Sequence, residues 1–302
     1  MNYVNKRPCL WVITLLFAFC LTILSGCAQT EAPASSLNTG DSEKLMVAVS
    51  IVPQETFVHA VGGDQVEVVT MIPRGNSPAN FVPGPQLLTA FSDAALYFSI
   101  GVPTEENNIL PKIADLNADM KVVDLATRVD AIYPAREFAP GTRDPHMWLS
   151  PKRAKEMVRI IADELSALDP GNGNLYSHNA ETYIAQLDAL DQEISASLKP
   201  LKTRKFIVYH PSLGYFADDY GLEMIALEKE GKEASAKDFQ RVISDAHKEE
   251  IKVIFYQAEI DSKQAQALAD ELDGEIEMIA PLAPDYIENL KKTARTFARV
   301  LD

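Results

Sequence analysis

Cysteine is scarce: Cys9, Cys20 and Cys27 are all the chain has, and none lies beyond residue 27. A body so poor in thiols is not a disulfide-stapled scaffold and offers neither a cysteine zinc centre nor a catalytic thiolate. Positive charge is short as well, 28 Lys and Arg against 43 Asp and Glu, for a formal net charge of −15. Binding phosphates takes Lys/Arg patches, and none stands out, so nucleic acid is excluded as a partner. Also missing are the signatures G-x-S-x-G, H-E-x-x-H and the P-loop. Without them no nucleophile or base constellation supports an enzyme. Ser212, which follows His210 and Pro211, lacks the glycine elbow that a nucleophile there would need.

What is present begins at the amino terminus. Lys6 and Arg7 precede an apolar run from Leu10 to Leu24, shorter than the roughly 20 residues of a membrane span. The run ends in LSGC, Leu24 to Cys27, which resembles the lipobox of bacterial lipoproteins. The expectation is a signal peptide over 1–26, with Cys27 lipidated and Cys9 and Cys20 removed. Such processing takes away Lys6 and Arg7 and no acidic residue, so the remainder is more acidic still. Residues 27–43, CAQTEAPASSLNTGDSE, hold a single large apolar side chain, Leu37, and read as a flexible tether.

Beyond the tether, short apolar runs alternate with helical periodicity. Strands are expected at 45–52, 66–72, 94–101 and 121–126, and again at 205–210, 223–228, 252–257 and 275–280. Near-continuous apolar strands imply parallel sheets covered on both faces. Between the two sets lie a helix from Pro151 to Ala167 and a longer one from Leu175 to Leu198, with Tyr176, Ala180, Tyr183, Leu187, Leu190, Ile194 and Leu198 at steps of three and four. That helix spans about 36 Å and reads as a stiff spine. Ser235 to Asp238 offers a capping box for a further covering helix. The fold class is α/β: two similar lobes, each a small, mostly parallel sheet with covering helices, joined by one long rigid helix. The boundaries are an amino-terminal lobe over 44–172, a linking helix over 173–200 and a carboxyl-terminal lobe over 201–302.

Ligands of such sheets sit beyond the carboxyl ends of the strands. His210 ends the expected strand KFIVYH, and His146 lies in DPHMWLSP, held between prolines ahead of a helix. One histidine from each lobe, at a strand exit or in a restrained loop, points to a metal site between lobes. His59, His178 and His247 fall on helical stretches and read as structural or solvated.

The ordered series VAVSIVPQETFVHAVGGD, SDAALYFSIG, DPHMWLSP, VYHPSLGYFADDYGL, EGKEASAKD, KVIFYQ and DYIENLKKTARTFARVL resembles the zinc/manganese solute-binding proteins of ABC importers, over nearly all of residues 45–302. The resemblance implies a divalent transition metal, zinc before manganese, as transported ligand rather than catalytic cofactor. It also implies delivery to a membrane permease, by a monomer held on the outer face of the bacterial cytoplasmic membrane, or in the periplasm, through acylated Cys27. His146 and His210 match two of the family's ligands. The other two positions hold Ala79 and Ala280, Gln257 replaces a commonly acidic residue, and the His-rich loop before DPH is absent.

Because zinc wants four ligands, Gln257 and Asn80 are candidates to complete the shell, followed by Asp285 and Glu228. Asp144 is placed to orient His146 from behind. The two alanines keep a rival open: the same fold binding a small organic or chelated ligand, or acting as a surface adhesion lipoprotein.

Overall fold

A computed structural model describes residues 44–228, 234–260 and 263–301. The expected signal peptide, the tether with Cys27, and residues 230–233 of the EGKEASAKD stretch lie outside the described residues.

The first sheet is built from β1 (Leu45–Ile51), β2 (Val66–Ile72), β3 (Leu96–Ser99) and β4 (Lys121–Asp124), all parallel, in the order β2-β1-β3-β4. Helices α1 (Val52–Gly62), α2 (Pro85–Ser92), α3 (Ile113–Leu116) and α4 (Leu125–Asp130) alternate with the strands. A two-stranded antiparallel ribbon, β5 (Glu137–Ala139) and β6 (Thr142–Arg143), precedes α5 (Pro151–Leu168) and α6 (Gly173–Leu198). The second sheet contains β7 (Lys205–Val208), β8 (Glu223–Ala226), β9 (Val253–Gln257) and β10 (Glu275–Ile279), parallel in the order β10-β9-β7-β8. Its helices are α7 (Gly214–Tyr220), α8 (Ala236–Lys248), α9 (Lys263–Glu271) and α10 (Tyr286–Val300).

Strand alternation decides what each face covers. In β1, Val47, Val49 and Ile51 enter the main core, whereas Ala48 joins a smaller outer core with Met71, Phe91 and Tyr97. Likewise Phe206 and Val208 of β7 face the main core, and Ile207 faces an outer core with Val242, Ile254 and Leu268. The main core is continuous from one sheet to the other, passing through Leu187, Leu190 and Ile194 of α6 and Leu290 and Phe297 of α10. Phe297 stacks on Phe255 at 4.5 Å between centroids and meets Phe206 edge-on at 4.7 Å. The long helix therefore packs one buried stripe onto this core and leaves its other face exposed, over about 39 Å at its observed 26 residues. No described helix is long and apolar enough to cross a membrane.

Helix starts follow local chemistry. Ser150 accepts the Arg153 amide to cap α5, Asp124 the Thr127 amide to cap α4, and Ser235 the Asp238 amide to cap α8. Gln54 accepts the amides of Ser50 and Ile51, each at 3.0 Å, and donates to the Phe98 carbonyl, tying α1 to two strands. The β5/β6 ribbon and the helices α2, α3, α4 and α7, none longer than eight residues, have no counterpart in the expectations above, because each is too short for its periodicity to register; α9 and α10 were not assigned there either.

Candidate metal centre

Both sheets aim the carboxyl ends of their strands at one cavity of about 550 Å³. From the first half it is walled by Gly101 after β3, Asp124 at the end of β4, and Ala79 in the turn beyond β2; from the second by His210, Gln257 and Pro281.

His146 is set by its own loop. The Asp144 carboxylate is fully buried, and its Oδ1 accepts both the His146 amide at 2.9 Å and the His146 ring Nδ1 at 2.8 Å. Its other oxygen accepts Arg136 Nη1 at 3.0 Å, while Tyr215 donates its hydroxyl to the Asp144 carbonyl. Trp148, ring centroid 5.2 Å from His146, donates its indole N–H to the Pro281 carbonyl across the cleft. Burial holds the His146 pKa below the usual imidazole value, although Asp144 pulls the other way.

His210 is set by the sheet. It follows β7 by two residues, and its Nδ1 lies 2.8 Å from Oε2 of buried Glu228, which sits just past neighbouring β8. Backbone pairing carries that register onward, since the Leu227 amide donates to the Val208 carbonyl and the Glu228 amide to the Tyr209 carbonyl.

With each Nδ1 engaged by a carboxylate, the two Nε2 atoms remain, and they face each other at 3.2 Å. Two lone pairs at that distance repel unless a proton or a cation lies between them. An ion about 2.0 Å from each nitrogen would subtend an angle of about 105°, close to tetrahedral. The carboxylates behind the rings orient them and raise their basicity, the usual arrangement of metal-bound imidazoles. The pair thus fits a late transition metal.

The remaining expected candidates divide. Gln257 lies in the cavity wall, but its amide donates to the Ser212 hydroxyl. Asn80 is exposed in the turn after Ser77 and lies outside the wall. Asp285 is exposed ahead of α10, and Ala280 sits beside the wall residues Pro281 and Leu282. His59, His178 and His247 are exposed on helices. Among the described residues no group of three His, Cys, Asp or Glu side chains is placed to hold an ion.

Two wall residues were not singled out from the sequence. Arg143 ends β6 and packs over Gly101, whose φ of +82° and lack of a Cβ make room: a Cβ there would stand 3.0 Å from Arg143 Nη1. Glu259 lies two residues beyond β9, and burial pushes its carboxyl pKa up. Their signal was position alone, three residues before His146 and two after Gln257.

Against models of known families, residues 47–300 match the one described as zinc-uptake complex component A, periplasmic. The chain is 27% identical over 284 residues to the high-affinity zinc uptake system protein ZnuA of Bacillus subtilis, covering 90% of this chain and 88% of that one. It is 24% identical to the manganese-binding lipoprotein MntA of Halalkalibacterium halodurans, covering 97% and 98%. A crystal structure of ZnuA superposes with a TM-score of 0.82 at 38% identity, over 86% of this chain and all of that one.

Proposed function

Because this chain belongs to the family of periplasmic zinc-uptake complex component A proteins, we propose that it is the extracytoplasmic receptor of an ABC importer. It captures a divalent transition metal, zinc first and manganese next, between its halves and hands it to a membrane permease. It is a binding protein and not an enzyme. The observation that carries this reading is the pair of imidazole Nε2 atoms 3.2 Å apart, each ring backed by a buried carboxylate. Capture takes place between the halves 44–172 and 201–302, and the helix of 173–200 limits how far they move. The anchor is lipid on Cys27, beyond a tether of 27–43, and the working unit is a monomer.

The test is the melting temperature of the metal-stripped full-length chain against zinc, manganese, iron and nickel, with calcium and magnesium as controls. One transition ion gives a saturable rise, because a ligand that binds only the folded state stabilises it by mass action. The rise disappears at acid pH, where protonated imidazoles cannot ligate, and in the double variant His146→Ala, His210→Ala. An unchanged rise in that variant refutes the assignment.

A further inference from the structure

We infer that the cargo enters as a metal complex, the ion carrying one small chelator with an amine and a carboxylate, of the α-amino-acid kind. This rests on the metal reading above and names the form in which the metal is taken up.

Three observations converge on it. The protein supplies two imidazoles and, among the described residues, no third His, Cys, Asp or Glu placed to join them. A four-coordinate ion held by that pair therefore keeps two positions that no described side chain fills. Next, the cavity is about 550 Å³, inside the range of roughly 300–1,000 Å³ that serves small organic ligands and far beyond the share of about 30 Å³ that one water occupies. Finally, the same wall carries one orphan donor and one orphan acceptor. Arg143 uses Nη2 on Asp130 at 3.0 Å and on Met147 Sδ at 3.3 Å, but its buried Nε has no hydrogen-bond partner. Buried Oε2 of Glu259 has none either.

Buried polar groups without partners are costly, and each calls for an explanation. An amino-acid chelate supplies both partners at once. Its amine nitrogen and one carboxylate oxygen fill the two open positions as a five-membered ring, bringing the ion to four ligands. The second carboxylate oxygen is left to accept from Arg143 Nε, and the metal-bound amine keeps N–H groups to donate to Glu259. No bond is oxidised or reduced, and the complex binds and leaves intact. A site for a bare ion would need neither the space nor the paired orphan groups.

The probe is L-histidine with zinc. The metal-stripped full-length chain is equilibrated with zinc alone, L-histidine alone, both together, and zinc with citrate, which chelates through oxygens without an amine. The expected result is one zinc and one histidine retained per chain when both are present, with no retention of histidine by itself and none of citrate. Arg143→Gln and Glu259→Gln should each weaken histidine retention about tenfold, the effect of one hydrogen bond to a charged group. If Arg143→Gln fails to fold, Arg143→Lys, which keeps a cation for Asp130 but has no Nε–H of that geometry, takes its place.

Zinc retained alone, with histidine only competing it away, overturns the inference and leaves the receptor reading standing. Zinc retained under no condition overturns both. Citrate carried as well as histidine, or histidine carried without zinc, overturns the amino-acid assignment.

Discussion

The two halves of the molecule brace the same cavity by different means. In the first, the exit of β3 is held by a buried acid: the Glu105 carboxylate accepts the Ile100 amide at 2.8 Å and the Gly101 amide at 2.6 Å. In the second, the exit of β9 is held by a neutral pair, Gln257 donating to Ser212. The histidines differ in the same spirit. His146 takes its orienting carboxylate from two residues away in its own loop, whereas His210 takes its own from the end of the neighbouring strand. The first half therefore sets its ligand from within one loop, and the second sets its ligand through sheet register.

The largest expected effect tests the acid brace. Burial raises the Glu105 pKa from 4.5 to about 7, against the pull of its two amide donors. Between those values the folded protein holds a proton that the unfolded chain has released. The stabilisation contributed by Glu105 is thus complete below about pH 4.5 and is lost as pH rises through about 7, by roughly 3 kcal/mol at most. Thermal unfolding of the wild type and Glu105→Gln from pH 4.5 to 7.5 should show the wild type losing ground to the variant as pH rises. Parallel curves would mean that the acid brace is electrostatically no different from the neutral one.

Next in size is the contrast between orienting carboxylates. Asp144→Asn and Glu228→Gln should each lower ion affinity by about 10- to 100-fold, the range for partners of metal-bound histidines. Asp144→Asn should also lower the melting temperature of the metal-free chain more, because Asp144 is fully buried and serves the His146 amide, its ring and Arg136 together. Equal losses of metal-free stability would break the distinction between a loop that builds its own ligand and a sheet that builds it.

How far this site could be read from sequence follows from the same difference. The strands were legible because runs such as LMVAVSI and KFIV are buried on both faces, and the long helix because its core positions recur at three and four. His146 and His210 were legible because a rare residue stood beside proline at an element boundary. Arg143 and Glu259 were not, since what distinguishes them is an unpaired atom in a shared wall, and only tertiary structure shows where a hydrogen bond is missing. Asn80 illustrates the converse: adjacency to Ala79 in sequence placed it near the site, but the turn at Ser77 leaves Ala79 in the wall and Asn80 outside it.

The smallest expected effect asks whether the halves are one cooperative body. Thr56, on α1 of the first half, donates its hydroxyl to the Pro284 carbonyl ahead of α10, a 2.7 Å bond between segments far apart in the chain. Thr56→Val keeps the shape and removes the donor, at a cost of about 1 kcal/mol, which for a chain of this size lowers the melting temperature by about 2–4 °C. Because the main core runs unbroken through α6 and α10, the variant should still unfold in a single transition in calorimetry. Two transitions would show that the core couples the halves too weakly, and the bond at Thr56 would then be a latch between independent bodies rather than one contact within a common interior.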